Sequence, residues 1–235
     1  MNGEKRAELA AGIRAGLPVM LGYVPIALAY AVIARQAGLS TLETLLMSLL
    51  VYGGASQIMA AGMLSQGAGI LAIVLATGIL NLRHLIMSLC VNNRLCSGGT
   101  GLRLLGSYWV TDESFALFTT TAKERCSIWY LLGLGGSTYL AWAAGSLLGA
   151  LVTDLLPPLL TASLGIALYG MFIGLLLPHL QGNGRLALLV LLTALLNWLL
   201  GRFMAASWAL ILATLLGAFA GLFFVELKEE GGADA

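Results

Sequence analysis

"YWVTDESFAL", residues 108–117, sets Asp112 beside Glu113 in a run that is otherwise apolar, aromatic or weakly polar. How the run folds depends on its solvent. Of 235 residues 59% are hydrophobic and 10% charged, and mean hydropathy is +0.93. A soluble domain carries about a quarter charged residues, so the solvent is a bilayer. There an acid costs about 2.5–3.5 kcal/mol at the centre of a helix, and two neighbours need a cation, a proton or water. Adjacent residues on a helix diverge by about 100°, so the two acids cannot face one partner. Either the stretch crosses the membrane with a cation at hand, or the third and fourth apolar runs form a non-spanning re-entrant pair and the acids are wet.

Roughly 20 apolar residues cross about 30 Å of hydrocarbon. The chain offers seven or eight such runs, near 15–34, 42–64, 68–91, 104–121, 129–152, 158–178, 185–201 and 205–225. The predicted fold class is an all-α integral membrane protein of seven or eight transmembrane helices, with broken helices and inverted repeats as options. Residues 1–14 read as a retained amphipathic lead-in, 15–225 as the transmembrane domain and 226–235 as a polar tail. Ser40 and Glu43 make an S-x-x-E capping box ahead of the second run. With eight spans and the N-terminus inside, Lys5, Arg6, Arg14, Lys123, Arg125, Arg185 and Lys228 lie inside, and Arg35, Arg94, Arg103 and Arg202 outside, which favours that orientation. Gly145/Gly149, Gly170/Gly174 and Gly217/Gly221 are spaced for close helix contact, within the chain or with a second subunit. "IALAYAVIARQAG" (26–38) and "IALYGMFIGLLLPHLQG" (166–182) share an opening, which would relate spans 1–3 to spans 6–8.

Several classes are disfavoured. A net charge of +1 without a basic tract gives nucleic acid no footing. Cys90, Cys96 and Cys126 form no CxxC, and His84 and His179 are the only imidazoles, so neither a disulfide framework nor a zinc site is expected. With no GxxxxGK[ST] and no HExxH, no ATPase, enzyme or cofactor is implied.

Three polar constellations remain. "VYGGASQIMA" (51–60) puts Gly53, Gly54, Ser56 and Gln57 at mid-span. Hydrocarbon cannot satisfy the backbone that a glycine pair frees, so this is either a broken helix lining a cavity or a tight helix crossing with Ser56 bonded to its own helix. Half-helix ends at mid-membrane suit carboxylates and ammonium groups. "GILNLRHLIMSL" (78–89) carries Asn81, Arg83 and His84. Arg83 lies nine residues before the 92–103 turn and Asp112 nine after it, so both sit about 13 Å below one face and can pair. The third constellation is the acid pair. One acid pairs with Arg83 and the other faces a polar cavity as a proton carrier. The expectation is that Asp112 carries the proton and Glu113 pairs with Arg83 or with a neighbouring subunit. Tyr23 and Pro25 in the first run, with Pro25 as a kink, and Asn197–Trp198 in the seventh are further cavity candidates, and Pro178 reads as a helix end.

"GYVPIALAYAVIARQAGLSTLETLLMSLLVYGGASQIMAAGML", then "ILNLRHLIMSL" and "WVTDESFAL", resemble the AzlC family, the large subunit of branched-chain amino acid exporters. The resemblance runs from about residue 12 to 225 and is densest over 22–117. The matching positions are Gly22, Tyr23 and Pro25; Tyr52, Gly53, Ala55, Ser56 and Gln57; Asn81, Arg83 and His84; and Thr111, Asp112, Glu113 and Phe115. Gly54 and Ile58 depart mildly and would alter pocket size. The resemblance implies a secondary exporter of valine-like amino acids, with methionine in range, in the bacterial cytoplasmic membrane, working with a small AzlD-type membrane subunit. Tyr23, Pro25, Tyr52, Gly53, Gly54, Ser56, Gln57 and Asn81 are the expected substrate contacts. Arg83, Asp112 and Glu113 are the expected coupling groups. A channel or an ion-coupled carrier for another small solute is the alternative.

Overall fold

The computed structural model describes residues 3–96, 98–122, 126–155 and 180–224, with positions 173, 176 and 177. Among these, the regular elements are helical: α1 Gly3–Gln36, α2 Thr41–Leu50, α3 Gly54–Ser65, α4 Ile70–Arg94, α5 Thr100–Tyr108, α6 Asp112–Thr120, α7 Ile128–Val152 with a 3-10 turn at Thr153–Leu155, α8 Gly184–Leu200 and α9 Ala206–Phe224. The sixth expected span, nearly all of the 166–182 repeat segment, Pro178 and the Gly170/Gly174 pair lie outside the described residues. Two compact units are formed by residues 1–67 with 77–167, and by 68–76 with 168–235.

In the first unit α1 and α7 form the spine, and glycine lets their backbones touch. A Cβ on Gly12 would lie 2.1 Å from Tyr130 O, one on Gly133 2.2 Å from Leu9 O, and one on Gly149 2.8 Å from Leu28 O. The pairs 12/130, 27/145 and 31/149 rise together, so the helices are parallel. Gly145 and Gly149 therefore serve contact inside the chain. The expected lead-in is part of this helix: α1 runs through position 14 and through Pro18 and Pro25 without interruption.

Hydrogen bonds fix where the other elements lie along this spine. Ser127 donates to Glu8 at 2.8 Å, Cys96 N to Cys126 O at 3.1 Å and Arg94 Nη2 to Thr121 O at 2.9 Å. The start of α1, the end of α4, the end of α6 and the start of α7 thus share one end of the unit, called here the near end. From it α5 runs inward beside α7: Gly106 abuts Leu131, and Trp109 abuts Gly135. α6 runs back, with Phe118 packing on Tyr130. α5 and α6 together are a hairpin that enters and leaves at the near end. At nine residues each they reach about 13 Å, half a bilayer.

α2 and α3 do the same from the far end. Tyr30 donates to Thr44 O, Ser48 meets Ser146, and Tyr52 meets Thr138, so α2 descends antiparallel to α7. Gln57, one turn into α3, is back level with Ser48, to which it donates at 3.0 Å. The second and fourth expected spans are thus each broken into a helical hairpin. The helices long and apolar enough to cross a membrane among the described residues are α1, α4 and α7. With α4 running from far to near, that count also accounts for the parallel sense of α1 and α7.

The two breaks have different causes. At the first, Tyr52 adopts φ +43° and Gly53 a non-helical conformation with φ −135° and ψ 88°, so no helix can continue through them. At the second, Thr111 is extended and forms a reciprocal capping box with Ser114, which starts α6 at Asp112. The box expected at Ser40 and Glu43 is also present at the head of α2.

In the second unit α8 and α9 pack antiparallel: Gly217 abuts Thr193, and Gly221 abuts Leu189. Asn197 and Trp198 line a cavity of about 270 Å³ with Gly201, Arg202 and Ala209, and the Arg202 guanidinium lies 4.6 Å over the Trp198 ring.

Candidate functional site at the hairpin tips

Both tips end at mid-depth around Tyr139 of α7. The Tyr52 ring meets it edge-on at 4.9 Å, the Trp109 ring lies at 5.7 Å and the Tyr108 ring at 6.2 Å. Breaking a helix orphans its last carbonyls. Leu49 O, at the end of α2, accepts from Tyr139 Oη at 2.8 Å and from Tyr108 Oη, so the second hairpin helps to close the first.

The three sequence motifs converge here. Gly53 presses against Ser56, Asn81 and His84: a Cβ on it would lie 2.6 Å from Ser56 Oγ, 3.2 Å from Asn81 Oδ1 and 3.6 Å from His84 Cε1. Asn81 Oδ1 is buried and has no hydrogen-bond partner among the described residues. α3 has no side-chain N-cap, since its N-cap residue is Gly53, and Ser56 Oγ donates to Gly53 O at 2.8 Å. Arg83 Nη2 lies 3.0 Å from Asp112 Oδ2, with the two side chains 42% and 46% exposed. Glu113, about 100° further round α6, faces α1, where Tyr23 Oη donates to its Oε2 at 2.6 Å and lies 2.8 Å from Thr111 Oγ1. The pairing expected for Glu113 is therefore corrected: Asp112 holds Arg83, and Glu113 holds Tyr23.

A second polar network sits behind the first tip. Trp142 Nε1 donates to Gln57 Oε1 at 3.0 Å, Gln57 Nε2 to Ser48 Oγ at 3.0 Å, and Ser48 to Ser146 at 2.7 Å. Both ends of the Gln57 amide are used, and the residue is fully buried. It ties α2 and α3 to α7. Gly54 is packed against the same indole, with its Cβ direction 2.7 Å from Trp142 Cη2. Tyr23 meets the indole edge-on at 5.4 Å, and Tyr30 stacks on it at 6.1 Å. Tyr52 donates to Thr138 at 3.1 Å. Pro25, about 200° round the helix from buried Tyr23, and Gly22, about 100° from it, are exposed on α1.

Trp142, Tyr139, Ser48, Thr138 and Ser146 were not singled out from sequence. Ser48, Trp142 and Ser146 are single residues in apolar runs, and Thr138 and Tyr139 follow Ser137 in a short stretch that matches no motif. His84 was noted in the 78–89 constellation but given no role.

Comparison with known proteins decides the family. The AzlC protein family matches residues 18–156, more than half of the chain. The chain belongs to the AzlC family. An uncharacterized membrane protein of Archaeoglobus fulgidus is 34% identical over 183 residues, covering 76% of this chain and 79% of that one. Inner membrane protein YgaZ of Escherichia coli is 28% identical, covering 74% of each chain. Branched-chain amino acid transport protein AzlC of Bacillus subtilis is 24% identical, covering 63% of this chain and 60% of its own length. No solved structure matches. The family match holds α1 from Pro18, both hairpins, α4 and α7, the elements that build the mid-depth site, and it stops short of the expected limit at 225.

Proposed function

We propose that this AzlC-family protein is a secondary transporter that exports branched-chain, valine-like amino acids, with methionine in range, across the bacterial cytoplasmic membrane. The observation that carries this reading is the meeting of two oppositely inserted hairpin tips at mid-depth, beside the unpartnered Asn81 Oδ1 and the acids of α6. Irregular backbone and ionisable groups at membrane depth belong where a solute passes. The tips can engage both ends of an amino acid: the start of α3 offers amide N–H groups to a carboxylate, and Asn81 Oδ1 offers oxygen to an ammonium. The printed name of the Bacillus subtilis relative supports branched-chain substrates. Protons supply the driving force in this reading.

A small AzlD-type membrane subunit is part of the proposal. The half-exposed Arg83–Asp112 pair sits among Leu82, Leu85, Ile86 and Leu89 of α4, each more than half exposed. A second membrane protein on this face would shield the pair from lipid. The test is efflux of a labelled amino-acid panel from cells making this chain with and without such a subunit. Valine and leucine should leave fastest when both are present. Equal efflux from cells lacking the chain would end the reading, and ionic conductance without amino-acid selectivity would favour a channel.

A further inference from the structure

We propose that Glu113, not Asp112, carries the coupling proton. This rests on the transport reading above and deepens it. The acids are neighbours in sequence, but their surroundings differ in charge. Asp112 Oδ2 has the Arg83 guanidinium 3.0 Å away. A proton on Asp112 would leave that cation without its counter-charge at mid-depth, a costly arrangement in apolar surroundings. Glu113 makes no ion pair among the described residues, and its Oε2 is held by the neutral Tyr23 hydroxyl at 2.6 Å. A proton on Glu113 removes a charge and strands none.

The groups facing Glu113 are Tyr23 on α1, Tyr52 at the first tip, His84 and Arg83 on α4, and Asp112 beside it. α7 has no charged residue, and Arg103 of α5 is engaged at the near end with Gly98 O. Of the carboxylates in this set, Glu113 alone is free of a fixed cation.

Its position also links the proton to movement. Tyr23 belongs to a membrane-crossing helix, and Glu113 to the tip of a hairpin that reaches only mid-depth. The ionised carboxylate accepts from Tyr23 and ties the tip to α1; the protonated acid becomes a donor itself, and the shared geometry changes. In one cycle Oε2 takes a proton from water on the proton-rich side, the tip repositions, and the same O–H bond breaks to give the proton to water on the other side. No other bond is made or broken.

The experiment uses inverted membrane vesicles from cells making the full chain together with the small subunit. Labelled leucine is followed in two assays: exchange without a gradient, and accumulation driven by an acidic lumen. Glu113→Gln should continue to exchange while losing accumulation, so the ratio of accumulation to exchange falls about tenfold or more. Asp112→Asn breaks the pair with Arg83 and should lower both assays together. Glu113→Asp keeps a titratable carboxyl and should keep the ratio. Should Glu113→Gln fail to insert, dicyclohexylcarbodiimide, which attaches to protonated carboxyls in apolar surroundings, decides on the unaltered chain: mass spectrometry should find the adduct on Glu113. An unchanged ratio in Glu113→Gln, or an adduct on Asp112 instead, overturns the assignment while transport stands. Vesicles of the unaltered chain that neither exchange nor accumulate any amino acid overturn the transport reading and this assignment with it.

Discussion

Gly53 and Gly54 are adjacent glycines with different reasons to be glycine. Gly53 sits in the turn, pressed between Ser56, Asn81 and His84, while Gly54 starts α3 against the Trp142 indole. A methyl at 54 would meet Trp142 Cη2 at 2.7 Å, and the ring is pinned by Gln57, Tyr23 and Tyr30. Gly54→Ala should therefore lower stability by about 1–3 kcal/mol, as overpacking does. Gly62→Ala in the same helix meets nothing within 4 Å and should be neutral or gain about 0.5–1 kcal/mol from helix propensity. Thermal unfolding of both variants in detergent checks the contrast, and equal midpoints would mean that the indole yields. Tyr52 carries the turn at φ +43°, a conformation a bulky side chain adopts only when its surroundings enforce it. Here burial, the Thr138 bond and the Tyr139 ring enforce it. The glycine pair made this break legible in the sequence. The partner of Glu113 was not, because Tyr23 lies 90 residues away and only the fold brings it there.

The second break shows what the sequence did offer and how it was misread. No glycine or proline marks residues 109–111, so the run looks continuous and passes for a span. Yet Thr111, Ser114 and two acids in the first turn are the pattern of a helix start, where carboxylates meet the positive end of the dipole. The acids that seemed to need rescue at mid-span instead open α6. The register argument survived because depth depends only on distance from the turn, and it placed Arg83 level with Asp112. Each hairpin must be held to the spine, and for the far hairpin Gln57 does this. Gln57→Leu keeps the volume approximately but strands Trp142 Nε1 and frees Ser48 from its donor. An orphaned buried polar group costs about 1–3 kcal/mol, so the variant should unfold at clearly lower temperature than Ser65→Ala, whose hydroxyl only returns to Gly62 O at an exposed helix end. Limited proteolysis gives a second reading: cleavage near 51–53 should appear in Gln57→Leu and not in Ser65→Ala.

Two hairpins that return to the side they came from change the count of crossings and hence which loops share a compartment. Eight crossings would put Arg94 and Arg103 outside, opposite Lys5 and Arg6. The hydrogen bonds place them at one end instead: Arg94 reaches Thr121 O, Cys96 N reaches Cys126 O, and Ser127 reaches Glu8 near the start of α1. The near end of the first unit then gathers Lys5, Arg6, Arg94 and Arg103, and the far end has Arg35. Such an excess of cations belongs in the cytosol. These cations favour the orientation expected from the sequence on a different set of residues, since apolar length alone cannot tell a helix that crosses from a pair that turns back. Cys96 is a native exposed probe of the near end, and Gly38, in the turn after α1, is a site for a probe at the far end. In a background with Cys90 and Cys126 replaced by serine, a membrane-impermeant maleimide added to intact spheroplasts should label Gly38→Cys and spare Cys96, and in inverted vesicles the pattern should reverse. Labelling of Cys96 together with Gly38→Cys from outside would restore the crossing of residues 42–64 and remove the far hairpin. Because α2 and α3 would then be one span, Ser48 and Gln57 could no longer lie level, and the Gln57 bond to Ser48 would be the first contact of the fold to fail.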